Sequence, residues 1–234
     1  HSSILGEFLK FISSAEYLCG HNIVSHDFKY LKPFLKKSYK LIDTLYLSPI
    51  LFPERPYHNL VKDDKIISDQ LNNPLSDSLK AKQLFEDEFE RFKDLPENIK
   101  RSYYDLLNEK DHFKGFFEYA QYSSNRFSYL FNSKADNISE ILKGMVCSKA
   151  NISRIIESTP TELAYALAII RTGDRYSITP AWVKHQFPLV DNIIHTLRGI
   201  NCGECKYCRE HLDARKMLKR WFGYDGFRTF NGEA

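Results

Sequence analysis

Three cysteines within seven positions, Cys202-Gly203-Glu204-Cys205-Lys206-Tyr207-Cys208, are the residues of this 234-residue chain best suited to chemistry. Thiolates are soft ligands for zinc or iron. A spacing of two intervening residues lets a tight turn bring Cys202 and Cys205 onto one centre, with Cys208 following one turn later. Gly203 suits the positive φ that such a turn favours. A disulfide framework does not fit, because the cluster is odd in number and packed too closely. Three unrelated thiols would leave the regular spacing without a reason. A metal ion held here needs a fourth protein ligand, and the sequence offers Cys147, His195 and His211. His211 would put four ligands into ten consecutive residues, which leaves little room for a tetrahedral wrap. His195 lies inside an apolar helical pattern, where a histidine is more often a satisfied core residue. Four thiolates would hold zinc or a [4Fe–4S] cluster.

Two further sets of residues carry chemical potential. From Arg209 to Arg220 the chain holds five basic residues, Arg209, Arg215, Lys216, Lys219 and Arg220, against two acids. Beside a metal knuckle such a stretch suits contact with nucleic-acid phosphates, and a solvated helix face is the plain alternative. Asp27 and Asp77 each fall near an expected helix start, where a carboxylate is favoured by the exposed N–H groups, so capping is their plain reading.

The elements that must position these residues follow from pattern. Ile4, Phe8, Phe11 and Ile12 form one helical stripe expected to pack on a core, and Tyr17-Leu18-Cys19 reads as a short strand. A helix with Phe28, Leu31, Phe34 and Leu35 inward comes next, then a strand at Leu41-Ile42-Asp43-Thr44 and a helical turn from Leu45 to Leu51. Asn72-Asn73-Pro74-Leu75-Ser76-Asp77 opens a long helix with Leu84, Phe85, Phe89 and Phe92 on its apolar face. This alternation is an α/β pattern up to residue 93.

Beyond it the chain reads as helical. Tyr103, Tyr104, Leu106, Leu107, Phe113, Phe116, Phe117 and Tyr119 lie at helical spacing, which favours core over base-stacking aromatics. Asn132 to Glu140 reads as a linker with a helix cap, and Ile138 to Val146 as a helix that delivers Cys147. Thr159-Pro160-Thr161-Glu162 has the pattern of a capping box, and Pro180 and Pro188 open further helices. The expected fold class is therefore α+β, mostly α, with units at 1–93, 94–198 and 199–234, the last carrying the cysteine cluster and a basic helix.

Composition bounds the rest. An apolar content of 43% with 27% charged residues is that of an ordinary globular chain, and a net charge of +3 places any nucleic-acid contact in local patches rather than over the whole surface. No apolar run approaches 18 residues, so no membrane partner is expected. Five cysteines, three of them clustered, point to a reducing, cytoplasmic compartment. The chain opens on His rather than Met, which leads one to expect a fragment, a processed product or tag residues.

Two resemblances bear on function. The run Cys19-Gly20-His21-Asn22-Ile23-Val24-Ser25-His26-Asp27-Phe28-Lys29-Tyr30-Leu31, with Leu41-Ile42-Asp43-Thr44-Leu45 and with Asp77 at the head of a helix, resembles the second half of a DEDDh 3′–5′ exonuclease of the ribonuclease H-like fold. That resemblance implies a partial ribonuclease H-like α/β unit over about 75 residues, with Asp27 and Asp77 as two of four acids that hold divalent ions such as Mg²⁺. Two departures argue against catalysis. The first motif, Asp-x-Glu on the opening strand, is missing, and Asn72 stands where the general-base histidine belongs, and an amide cannot take water's proton.

Cys202-Gly-Glu-Cys205-Lys-Tyr-Cys208 resembles the zinc element of RecQ-family DNA helicases, which an upstream helical cysteine completes; that resemblance implies Cys147 in that place, with His211 and His195 as the alternatives. Leu218-Lys219-Arg220-Trp221-Phe222-Gly223-Tyr224-Asp225-Gly226-Phe227-Arg228 resembles the segment that opens the RecQ motor. The sequence holds no Gly-x4-Gly-Lys-Ser/Thr, so ATP hydrolysis by that mechanism is not expected of it. In RecQ the zinc element follows the motor, whereas here it precedes the motor-like segment. The resemblances imply an N-terminal accessory region of a RecQ-like helicase, non-catalytic, zinc-bound, with DNA and the motor domain as partners.

Overall fold

The computed structural model describes residues 2–58, 60, 74–123, 133–173, 178–200, 202–211 and 213–226. Helix α1 (Ser2–Ile12) leads into strand β1 (Tyr17–Gly20), a π-helical turn over Ile23–Asp27, the short helix α2 (Phe28–Leu31) and a 3₁₀ turn over Lys32–Phe34, where Pro33 ends the helical run. Strand β2 (Lys40–Asp43) then pairs in parallel with β1, Tyr17 opposite Lys40 and Gly20 opposite Asp43. The two strands make a single two-stranded sheet among the described residues.

Asp43 turns the chain from β2 into α3 (Thr44–Leu51). Its carboxylate is fully buried and accepts from the N–H groups of Asn22 at 2.9 Å, Val24 at 3.1 Å and Leu45 at 3.1 Å. One side chain thus caps α3 and closes the turn after β1. Every residue of α3 is buried, which makes it the central post of the molecule. Helix α4 (Pro74–Asp94) packs along α3 and β1.

The remaining helices are α5 (Glu97–Leu107), α6 (Asp111–Tyr119), α7 (Lys134–Ile141), α8 (Ile152–Ser158), α9 (Pro160–Arg171), α10 (Ala181–Gln186) and α11 (Leu189–Gly199), followed by α12 (Lys206–His211) and α13 (Ala214–Phe222). One core cluster runs from Ile42 and Tyr46 through Phe92, Tyr103, Phe113, Phe116 and Leu163 to Leu197. The architecture is therefore mostly helical with a small parallel sheet. The boundary expected at residue 93 falls inside the last turn of α4, and core residues lie on both sides of it.

Helix α6 crosses β2 at Gly115, where even a methyl group has no room: a Cβ built there would lie 2.1 Å from the Leu41 carbonyl oxygen. The aromatic stripe that includes Tyr103, Phe113, Phe116 and Phe117 is core, with Phe92 meeting Phe116 and Phe117 edge to face at 5.2 and 5.9 Å.

Several local expectations need correction. Only Ile12 of the α1 stripe is buried; Ile4 and Phe11 are 69% and 82% exposed. The physical reason is that no other described element packs closely along α1, so most of its apolar face has nothing to cover it. Phe34, expected inward, is exposed because the 3₁₀ turn at Pro33 rotates it away from the α2 face. Asp27 continues the helical backbone from the π turn into α2 and caps nothing with its side chain. Thr159 precedes α9 as expected but forms no capping box, since its hydroxyl donates back to the Ile155 carbonyl oxygen at the end of α8. The box forms at α7 instead, between Ser133 and Asp136.

Candidate metal centre and the neighbouring groove

Helix α7 stops at Ile141, short of the expected length, and the chain turns through Gly144, whose φ of 79° favours glycine. Cys147 therefore sits in a turn rather than on a helix. The hydrogen bond from the Cys147 N–H to the Leu197 carbonyl oxygen, 3.1 Å, ties this turn to α11. From the end of α11 the chain enters the cysteine turn, where Gly203 has a φ of 70° as the spacing anticipates, and α12 carries Cys208 inward.

The result is a convergence of four thiols. The Sγ atoms of Cys147, Cys202, Cys205 and Cys208 all lie within 4.8 Å of one another. Among the described residues this is the one group of three or more such side chains close enough to hold a metal ion. All five cysteines are free thiols, and Cys19 stands apart from the cluster. Cys147 and Cys208 are buried, while Cys202 and Cys205 are half-buried, so the centre lies at the edge of the fold under Tyr207 and Ile200.

Backbone N–H groups are aimed at the sulfurs. Lys149 donates to Cys147 Sγ at 3.5 Å, Cys205 to Cys202 Sγ at 3.3 Å and Cys208 to Cys205 Sγ at 3.4 Å. Such donors favour the thiolate that a metal requires. Those from Ser148 and Cys208 pull the Cys205 thiol down to about 6, and those from Cys205 and Glu204 lower Cys202. Burial instead pushes Cys208 up to about 12, and its S–H donates to the Ile200 carbonyl oxygen at 3.1 Å. A bound cation would displace that proton, as metals do at coordinating thiols. The residues thus fit a tetrathiolate metal site. An ion pair at 2.9 Å between Lys149 and Glu204 bridges the two chain segments outside the cluster.

Neither alternative ligand joins the group. His195 projects from α11 into solvent rather than into the core, because Ile193 and Leu197 take the buried side of that helix. His211 ends α12 and packs its ring against Tyr207 at 4.9 Å.

The basic stretch is two helices, not one, because Asp213 caps a new one. Its carboxylate accepts from the N–H groups of Arg215 at 2.9 Å and Lys216 at 3.2 Å and starts α13. Arg209 stays on α12, while Arg215, Lys216, Lys219 and Arg220 lie on α13, and all five are exposed. Helix α13 has no buried residue, and Trp221, Phe222 and Tyr224 at its end are exposed. Lys219 pairs with Asp225 at 2.6 Å.

Asp27 and Asp77 come from distant parts of the chain and line one groove of about 680 Å³, together with His21, Asn22, His26 and Ser78. Asp27 is exposed and pairs with His26 at 3.3 Å, and Asp77 is half-buried in the first turn of α4. Asn72 lies outside the described residues. His21 belongs to a set of half-buried and buried ionisable groups that pattern reading passed over. His21 Nδ1 meets the Thr44 hydroxyl at 3.0 Å, His58 Nδ1 meets the Ser48 hydroxyl at 2.9 Å, and Glu88 of α4 is fully buried. Burial pushes both histidines down to about 4 and Asp43 up to about 6. The only sequence signal for them was Glu88 falling at a helical interval from Leu84, Phe85 and Phe92.

No protein-family model, curated protein or solved structure matches the chain. Among the described residues, no helix is long and apolar enough to cross a membrane.

Proposed function

We propose that this chain is a zinc-stabilised, DNA-binding accessory region of a RecQ-like helicase, whose metal centre holds a basic helix beside the motor. The observation that carries the reading is the convergence of Cys147 with Cys202, Cys205 and Cys208, directly ahead of α13. A tetrahedral zinc at about 2.3 Å from each sulfur sets the sulfurs about 3.8 Å apart. Cys202 and Cys208 stand at 3.8 Å, which supports zinc over an iron–sulfur cluster, whose four-iron body spreads its thiolates further apart. Basic side chains with free solvent access supply phosphate contacts, and the segment from Leu218 resembles the entry to the RecQ motor. The α/β unit, read as ribonuclease H-like, serves as a support in this proposal.

The reading predicts salt-dependent DNA affinity that falls at least tenfold at low salt when Lys216, Lys219 and Arg220 are all changed to Glu. Fluorescence anisotropy against salt concentration measures it. Affinity unchanged by the triple substitution would favour a protein-interaction scaffold instead.

The shared groove of Asp27 and Asp77 favours a second reading, a metal-dependent 3′–5′ exonuclease whose other two acids come from outside these residues. It predicts Mg²⁺- or Mn²⁺-dependent release of nucleotides from 3′ ends by a longer form of the chain, lost on Asp27→Ala. Absence of release from that longer form sinks this reading.

A further inference from the structure

Glu88 is the least expected side chain in the molecule. It is 0% exposed, in the middle of α4, and among the described residues neither carboxyl oxygen has a hydrogen-bond partner. The elements packed against α4 are α3, β1 and α6, which sets Tyr119 against Phe85 and Phe89 and Phe116 and Phe117 against Phe92. They present Cys19 from β1 and, at the β2–α3 junction, Asp43; α3 itself holds one titratable side chain, Tyr46, bonded to Ser25. Arg55, in the segment after α3, is the cation in range, but it is exposed, with its guanidinium 3.8 Å over the Phe52 ring. On α4, Asp87 adds a second acid in range. A carboxylate in such a place would be an uncompensated buried charge beside two other acids, whereas a neutral carboxylic acid is tolerated there.

We propose that Glu88 is carried as the neutral acid and acts as a proton-held latch, so that loss of its proton releases α4 from β1 and α3. The consequence reaches the groove, because α4 contributes Pro74, Asp77, Ser78 and Ala81 to its wall. The latch is closed in acid and loosens toward alkaline conditions. Burial raises Glu88 well above its ordinary 4.5, with Asp43 adding to the rise. The stability it lends is complete below 4.5 and is lost as pH climbs through the raised value. His21 and His58 act with the opposite sign. Burial lowers both, so their contribution is present above their ordinary 6.5 and is lost as pH falls toward about 4.

The test is amide hydrogen exchange of α4 and β1 in the metal-loaded protein and in Glu88→Gln, between pH 5 and 7 and corrected for intrinsic exchange. Gln keeps the shape and cannot ionise. Because the histidines titrate in both proteins, the ratio of opening constants isolates Glu88. That ratio, wild type over variant, is expected to rise about tenfold per pH unit, the signature of one proton. A ratio independent of pH overturns the latch. If Glu88→Gln does not fold, the ¹³C carboxyl resonance of Glu88 in the wild type decides: a protonated shift at pH 6 supports the latch, and an ionised shift overturns it.

Discussion

Cys147→Ser is expected to reduce bound metal from one ion per chain to none that survives desalting. Elemental analysis of the purified protein measures this, with the wild type alongside. The expectation rests on the way the site is assembled. Three of its thiols come from one short segment, the cysteine turn and the start of α12, and three thiolates alone leave an open position. Cys147 closes the site from a segment held to α11 by the bond between its own N–H and Leu197. Structural zinc in small knuckles contributes about 10 kcal/mol or more to the folded state, far above what two short helices at the edge of a core supply. Hydrogen exchange in residues 200–226 should accordingly rise in the variant, while α5, α9 and α11 keep their protection. Chelation of the wild type should give the same pattern. Retention of one ion by Cys147→Ser would return His211 or His195 to the ligand set.

Gly115→Ala is expected to destabilise the fold by about 2 kcal/mol or more, read as a lower urea midpoint at unchanged slope. Two effects oppose each other. Alanine is the better helix former by about 1 kcal/mol, which would favour the substitution in an open helix. The new Cβ, however, would meet the Leu41 carbonyl oxygen at 2.1 Å and its carbonyl carbon at 2.9 Å. These are backbone atoms of a paired strand and cannot swing aside. Helix α6 must lift, and with it Phe113, Phe116 and Phe117, each no more than 4% exposed in the core, and His112, stacked on Tyr46 at 3.9 Å. The overlap is the larger effect. An unchanged or higher midpoint would mean that α6 does not rest on β2.

Local chemistry was legible in the residues themselves. The x2 cysteine spacing and Gly203 encode their turn within seven positions. Pro160, Pro180 and Pro188 each mark a helix start because a fixed φ and a missing N–H suit the first turn wherever it occurs. The aromatics of α5 and α6 could be read as core because their interval matches the helical repeat.

What pattern could not decide was which distant residues meet. The α1 stripe has the periodicity of a buried face, yet its exposure depends on whether another element packs along it. Asp213 splits the basic stretch because its carboxylate reaches two N–H groups, and a lone Asp in a polar run does not announce that. Gly115 reads as an ordinary weak spot in a helix until Leu41 is seen beneath it.

For this protein, the sequence alone determined that three thiols in one short segment would face one centre, since a tight turn and the helical turn after it need only neighbouring residues. Only the tertiary structure decided that Cys147, brought in by the turn after α7, joins them. The same packing enclosed Glu88 between α3, β1 and its own helix. Both depend on closing long loops around α3 and α11, and the free energy of that closure comes from the whole core rather than from any short motif.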